Sequence, residues 1–495
     1  MVALKRFLPT VTFLVSIVIF SSLFYLERHF MTNFDENDHL AVAYFMSQGR
    51  LLYQDIFSHH FPFPYYWTYL FTPLWNFASP SQLISVFRLS ALALYLINFF
   101  LVFLSFKNNR SRYSYSLWIF CLSTFFTLYH GNLVLSETYA AIFLSTVFWL
   151  SLPILLKWEK PSLFNHILLI LFSSLAFWTQ PLLVILFLIP YLLYPKKILV
   201  SSFSFLVSNS VVLIHLYSSG QLPAFWQQGV WFNFFVYPKF FVDDQNYLSF
   251  FSHELYLFTH FFNPLQIAQF VLHLSFIVLL ASFLRQKQKL LAIVLILLFV
   301  ASRIREVKII PGIPFNFGIY PFLLISLGCF CLLVFMFYSR IQFLVSSFLV
   351  VMLFLPTLPI LQNSLKPGYN YEVFWGYRQR DADLISRLSD PAEPILVYPH
   401  DVDFYTLSRR LPPDRFVYWF PWIDSVSQFR SERLTALAST DIPIIYLGNL
   451  DFKGQSNFYA QYLPNLTNNY VQVFRKGKST NIWLLKKYQS RLNSL

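Results

Sequence analysis

Charge is scarce in this sequence. Only 12% of its 495 residues are Asp, Glu, Lys or Arg, against 56% apolar. A soluble chain of this length would ordinarily form roughly two to four domains, each needing a charged, solvated surface. The composition overrides that expectation, as do the apolar runs of membrane-spanning length that recur from the amino terminus to about residue 361. Cysteine is also rare. Cys121, Cys329 and Cys331 all lie inside apolar runs, none at metal-ligand spacing from a histidine. A disulfide framework is therefore not indicated, and the three read as small apolar packing residues. No Walker loop, no GxGxxG on a strand–helix unit and no GxSxG elbow occurs, which argues against a soluble nucleotide as direct donor. Internal repeats and the inverted broken helices of transporters are missing too, and so are the short alternating segments of a transmembrane barrel.

What is present is a series of apolar runs, at 8–26, 83–105, 115–130, 134–156, 164–178, 181–195, 197–218, 264–284, 290–302, 317–338 and 341–361. Taken as helices, they give a polytopic α-helical membrane protein of about eleven spans. The first run follows Lys5 and Arg6, is long for a signal peptide and ends without a small-x-small cleavage site, so it is expected to stay as the first span. The net charge of +13 requires no nucleic acid. Basic residues collect at Lys5 and Arg6, 107–112, 157–160, 196–197, 285–289 and Arg340. The positive-inside rule places all these loops in the cytoplasm, provided that the apolar stretch 65–78 does not span. That stretch is accordingly expected to lie at the interface or to re-enter, with Trp67, Tyr69 and Trp75 at headgroup depth. The outward loops are then 27–82, the turns around 130–137 and Gln180, 219–263, and 303–316. Nearly all the unusual polar residues fall on that one side.

From Gln362 the composition changes. A linker, Lys366-Pro367-Gly368-Tyr369-Asn370, precedes an amphipathic helix at 381–388 and strand-like runs at Ile395–Tyr398, Ile444–Leu447, 471–474 and 482–485. The expected division is a transmembrane domain, 1–361, carrying the outer loop 27–82, and a soluble extracytoplasmic α/β domain, 362–495. Asp401 and Asp403, just past the first strand, read as solvated loop acids, with contact to a substrate as the alternative.

The polar residues concentrate at 33–66, where Asp35, Glu36, Asp38, His39, Arg50, Asp55, His59 and His60 stand together beside the first span. Asn33 or Asp35 suits a helix N-cap and Gly49 the matching C′ position, so Asp35 and Glu36 fit a capping role and a catalytic one equally. Glu137 lies between two apolar runs, where a carboxylate needs a partner or a water-filled cavity; it reads as functional or as a headgroup-layer loop acid, with His130 close by in sequence. Arg88 stands near the outer end of the second span, and Arg303, Arg305 and Lys308 cluster where the ninth span reaches the outer side. Outward basic residues run against the usual bias. They suit a lipid phosphate, or they snorkel to headgroups. His59, His60 and Asp55 are substrate-binding candidates; adjacent histidines in an extended segment point to opposite sides, which disfavours a shared metal ion. Outer-face carboxylates can hold a divalent cation, although no full ligand set is visible.

With these residues in view, the chain resembles the GT-C superfamily of integral-membrane glycosyltransferases, on the family 39-like branch of protein O-mannosyltransferases and the lipid A aminoarabinose transferase. The similar segments are FDENDHLAVAYFMSQGRLLYQDIFSHHFPFPYY after the first span, LSETYA, WTQPLLV, SRIREVKIIPGIPFNFGIYP, and DADLISRLSDPAEPILVYPHDVDFYTLSRRLPPDRF near the carboxyl end. The resemblance implies transfer of a sugar from a polyprenyl-phosphate donor to a lipid, glycan or protein acceptor on the extracytoplasmic face. It assigns the reaction centre to Asp35, with Glu36 adjacent, a supporting role to Glu137, and the donor phosphate to Arg303, Arg305 and Lys308, with Arg88 a further candidate for that phosphate from its place near the outer end of the second span. A flippase of lipid-linked sugars is the alternative, but it would carry ionisable groups towards the bilayer midplane rather than at one rim. A non-catalytic scaffold would leave the acids at 35–55 unexplained.

Overall fold

In the computed structural model some helices start on a side-chain cap and others, such as Ser136–Leu155, do not. The structure describes residues 2–78, 82–240, 264–303, 317–336, 348, 351–352, 354–399, 401–419, 421–439, 441–448, 463 and 466–494. In chain order the first helices are α1 (Val2–Leu26), α2 (Phe34–Ser47), α3 (Phe63–Tyr69), α4 (Leu83–Ser105), α5 (Asn109–Leu122), α6 (Ser136–Leu155) and α7 (Leu163–Thr179). Three of them open on a side-chain cap. The Asn33 carboxamide oxygen accepts from the Asp35 amide at 2.9 Å, Asn108 does the same for Arg110 at 2.8 Å, and the Ser162 hydroxyl accepts from Asn165 at 3.1 Å. Each bond satisfies an amide that the first helical turn leaves without a partner.

Among the described residues, five helices are long and apolar enough to cross a membrane: Phe7–Leu26, Leu83–Ser105, Ser136–Leu155, Pro195–Ser218 and Gln266–Arg285. Leu163–Thr179, Pro181–Leu193 and Tyr320–Met336 are apolar but shorter. The protein is a helical membrane protein. The difference from eleven runs has local causes. The run at 115–130 divides, because α5 ends at Leu122 and a 3-10 turn, Phe126–Tyr129, closes on His130 at φ 62°. Pro181 starts a second 3-10 turn, Pro181–Phe187, before the short helix Leu188–Leu193. The helix Lys289–Arg303 has 15 residues, and part of 341–361 lies outside the described residues. The stretch 65–78 forms no continuous helix: α3 gives way to the 3-10 turn Thr72–Phe77, and Tyr69, Leu70, Leu74 and Phe77 are exposed.

The chain divides into two compact units. One comprises Met1–Phe30, Arg88–His215 and Asp243–Tyr369, the other Met31–Phe87, Leu216–Val242 and Asn370–Leu495. In the first, α6 is buried along its length from Ser136 to Ile154 and packs against α7, Lys289–Arg303 and Tyr320–Met336. Gly328 permits the close approach of the last of these, since a Cβ there would stand 2.4 Å from the Phe148 ring. The helix Pro195–Ser218 instead exposes Leu199, Phe203, Leu206 and Val211. Water tolerates such a face poorly, and hydrocarbon accepts it.

The second unit holds a four-stranded sheet of β1 (Ile395–Tyr398), β2 (Ile444–Leu447), β3 (Tyr470–Arg475) and β4 (Lys478–Leu485), in the order β1-β2-β4-β3. β1 and β2 run parallel, Ile395 opposite Ile444 and Tyr398 opposite Leu447. Both are buried on every residue, which is why each reads as an unbroken apolar run. β4 pairs antiparallel with β2 and β3. A two-residue turn joins β3 to β4, with Lys476 at φ 49° and Gly477 at φ 76°, the left-handed pair a tight hairpin demands. The helix Tyr377–Leu388 buries Ala382, Leu384, Ile385 and Leu388, beginning four residues before the amphipathic stretch in the sequence.

This unit is not confined to the chain after residue 362; it also takes in 31–87 and 216–242. Phe45 of α2 meets Tyr405 edge-on at 5.5 Å. The Arg50 guanidinium donates to the carbonyls of Pro412 and Asp414, both at 3.2 Å. The Phe57 amide donates to Arg415 O at 2.7 Å, and Gln228 clamps the Ser58 amide and the Tyr53 carbonyl at 3.0 and 2.6 Å. The first polar stretch is therefore built into the same body as the sheet.

Candidate functional site

Asn33, not Asp35, caps α2, and this leaves Asp35 and Glu36 in the first helical turn. A carboxylate there is stabilised by the positive end of the helix dipole. Asp35 is half-buried and Glu36 fully buried. One turn on, His39 Nδ1 lies 2.7 Å from Asp35 O, and its ring stacks on Tyr65 at 4.9 Å.

Asp38 is the acid of this helix that the sequence marked only as one of a polar cluster, with no role of its own. It is buried, and a chain of donors converges on it. The His60 amide donates to Ser58 Oγ at 3.2 Å, Ser58 Oγ lies 2.8 Å from the Tyr65 hydroxyl, and that hydroxyl donates to Asp38 Oδ2 at 2.5 Å. Asp38 Oδ1 has no hydrogen-bond partner. Burial pushes the Asp38 carboxyl up to about 7, the Tyr65 bond opposing and the Asp35 charge adding to the rise. The only hint in the sequence is its place one turn after Asp35, in the polar first half of a helix whose second half is mostly apolar.

Asn37, on the same turn, connects α2 to the residues after β1. Its Nδ2 donates to Asp403 Oδ1 at 3.1 Å, while its own Oδ1 is without a partner. Arg378 forks across two acids, Nη1 to Asp403 Oδ1 at 2.6 Å and Nη2 to Asp401 Oδ1 at 2.7 Å. The expectation that Asp401 and Asp403 are solvated loop acids is overturned, because Asp403 is fully buried and Asp401 is 8% exposed. Burial works against the Arg378 charge, yet Asp403 and Asp401 outweigh it and hold the guanidinium above its ordinary value. Burial raises Asp403 to about 6, with Arg378 opposing. Nothing local in the sequence marks Arg378, which lies 23 and 25 residues before its two partners.

Some of these groups border a polar cavity of about 540 Å³ within the second unit, lined by the cap Asn33, Asn37 of α2, Tyr377 and Arg378, Asp401, and Asn481 of β4, among others. His59, His60 and Asp55 belong to the same unit but do not line it. His59 Nδ1 lies 2.8 Å from the Tyr418 hydroxyl, and Asn233 donates to the His59 carbonyl. Asp55 closes its own turn, accepting from the Leu51 amide at 2.9 Å. Among the described residues, no three His, Cys, Asp or Glu side chains gather as metal ligands.

The remaining candidates lie in the first unit. Glu137, in the first turn of α6, is buried, with Gln180 Nε2 at 3.5 Å. Arg88 is fully buried and spends Nη1 on the carbonyls of Arg28 and Phe30, at 2.7 and 2.9 Å, pinning the segment that follows α1. Arg303 is buried, its guanidinium 4.2 Å from the Phe322 ring centre. Arg305 and Lys308 lie outside the described residues. The sequence reading missed Glu27, a buried acid immediately after α1 that accepts from the Thr127 hydroxyl and that burial pushes up to about 7. Its signal was available: an acid placed directly against the end of a membrane span.

The architecture and these side chains define a class, a helical membrane protein whose second compact unit gathers carboxylates around a polar cavity. No protein-family model, curated protein or solved structure matches the chain.

Proposed function

We propose that the protein is a GT-C-like glycosyltransferase that moves a sugar from a polyprenyl-phosphate donor to an acceptor on the extracytoplasmic face of the membrane. The observation that carries this reading is the first turn of α2. Asp35 and Glu36 are held by the Asn33 cap, and Asn33 and Asn37, which flank them, line a polar cavity. In the reaction an acceptor O–H or N–H attacks the anomeric carbon. The bond from that carbon to the phosphate oxygen breaks, polyprenyl phosphate leaves with the electron pair, and the acceptor proton passes to the carboxylate of Asp35 or Glu36. A positioned base of this kind contributes about 10²–10⁴-fold. Glu137 takes the supporting role. Arg303, Arg305, Lys308 and Arg88 are the candidates for stabilising charge on the departing phosphate, although Arg88 already spends Nη1 on two backbone carbonyls. The reading includes about eleven spans, a cytoplasmic amino terminus, and the sheet-bearing α/β part of the chain on the outer side.

The test is transfer of labelled sugar from polyprenyl-phosphate sugars by purified protein, wild type beside Asp35→Asn. Transfer or slow donor hydrolysis that falls at least about 100-fold in the variant, with the fold retained, supports the reading and places its base. Activity that survives Asp35→Asn but is lost in Glu36→Gln or Glu137→Gln keeps the reaction and moves the base. No turnover with any donor, together with movement of lipid-linked sugar across liposome membranes, sinks the transferase and favours a flippase.

A further inference from the structure

The cavity bordered by α2, the helix Tyr377–Leu388 and β4 has chemistry that selects a ligand class. Its volume of about 540 Å³ falls within the roughly 300–1,000 Å³ typical of small-molecule sites, and a mono- or disaccharide fits inside it. Three properties narrow the choice. First, among the described lining residues the one cation, Arg378, is forked onto Asp401 and Asp403 at 2.7 and 2.6 Å, and the one further charged group is Asp381, whose charge Arg475 and Arg380 partly offset. An anion would find that guanidinium already spent on two carboxylates and a third carboxylate in the same lining, which disfavours a phosphate or carboxylate as the preferred occupant. Second, the lining is mostly hydroxyl and carboxamide, from Thr32, Asn33, Asn37, Ser479, Thr480 and Asn481, whereas pockets for apolar ligands are lined mainly by apolar groups. Third, Asn37 is 2% exposed and its Oδ1 has no hydrogen-bond partner. A buried acceptor left without a donor carries a desolvation penalty that a ligand hydroxyl removes. Tyr377 and Tyr446 add aromatic rings to the wall, and such rings combine an apolar face with a polar tip.

We infer that this cavity binds a polyhydroxylated ligand, neutral or amino-bearing: the sugar moiety of the acceptor. Its hydroxyls donate to Asn37 Oδ1 and exchange hydrogen bonds with Asn33, Thr480 and Asn481, and Asp381 attracts an amino substituent. That the ligand is the acceptor rests on the transferase reading; that the cavity takes a sugar does not.

The test uses the full chain in nanodiscs and saturation-transfer NMR with three probes: a methyl glucoside, a methyl glucosaminide and glucose 1-phosphate. The two uncharged or amino-bearing glycosides receive saturation and the phosphate does not. Asn481→Ala weakens both by about tenfold, the equivalent of one lost hydrogen bond of about 1.4 kcal/mol. Ser479→Trp, which puts an indole on an exposed strand position at the cavity mouth, abolishes binding. Thermal melts of both variants show whether the fold is kept. Glucose 1-phosphate binding as well as the glycosides, no saturation reaching either glycoside from folded wild type, or binding unchanged in both folded variants would each overturn the inference. Donor hydrolysis without acceptor, measured on the same preparations, separates the two proposals. Hydrolysis with no glycoside binding removes the cavity and leaves the transferase standing. Glycoside binding with no donor turnover removes the transferase, and with it the acceptor assignment, while the sugar site remains.

Discussion

Asp38 and Asp403 show how burial, rather than residue type, sets the chemistry of a carboxylate. Both lie inside the second unit with one oxygen well bonded and the other without a partner. An unfolded aspartate titrates near 3.8, whereas folded Asp38 is pushed up to about 7. The folded state therefore holds the proton more tightly, so this group's contribution to stability is fully present below about 4 and is lost as pH rises towards 7. Raising the pH from 5 to 8 therefore lowers the thermal midpoint through this group, while the His29 and His130 rings, which burial holds down to about 3 and about 4, act in the opposite direction. Asp38→Asn is expected to flatten that dependence by about 1–3 kcal/mol. Asp403 and Glu27, raised to about 6 and about 7, act in the same direction as Asp38. A pH dependence of the midpoint that is the same in folded Asp38→Asn as in wild type contradicts the assignment. At this scale the sequence was half legible. A cluster of acids beside a span announces a site, but which of them is dehydrated depends on Tyr65, Arg378 and Asn37, and no local pattern couples these to the acids.

Elements were most legible where a single physical demand fixes them. β1 and β2 are buried on both faces, so their sequences are unbroken apolar runs, and their observed bounds are those of the runs. The hairpin between β3 and β4 is written in Lys476-Gly477, where two positive φ angles are required. Breaks inside apolar segments were harder to read, because hydropathy does not register a change of helical pitch. The turn at Phe126–Tyr129 and the π-helix Trp226–Val236 interrupt or replace α-helix without any loss of apolar character. The start of α2 is the element boundary with functional weight. Replacing Asn33 by Ala removes the acceptor of the Asp35 amide and is expected to cost about 1 kcal/mol. Hydrogen exchange over residues 35–39 should quicken by about fivefold for that cost, while Asn33→Asp should keep the protection. Equal exchange in Asn33→Ala and wild type would mean that the cap does not hold the acids.

At the scale of the whole molecule, the composition of the second unit was hidden from any reading that takes the chain in order. Residues 31–87, 216–242 and 370–495 pack as one body, joined by pairs such as Arg50 with Pro412 and Asn37 with Asp403, more than 360 residues apart. Hydropathy could set each segment apart from the long apolar runs, but not show that the three pack together. Sidedness, by contrast, is argued from charge and can be tested without knowing the reaction. Cys121, Cys329 and Cys331 are buried, so a cysteine introduced at an exposed position reports its own side. On the eleven-span reading, Gln286 lies in a cytoplasmic loop, and three spans, 290–302, 317–338 and 341–361, separate it from Ser479 of β4. An odd number of crossings places the two residues on opposite sides. A membrane-impermeant maleimide on intact cells should therefore label Ser479→Cys and leave Gln286→Cys untouched until the membrane is permeabilised. The reverse pattern would keep the odd count and invert the protein, placing the sheet in the cytoplasm, away from any extracytoplasmic acceptor. Labelling of both from one side would mean an even number of crossings between them. The short run at 290–302, with helix Lys289–Arg303 at only 15 residues, would then be the first of the three to lose its place as a span.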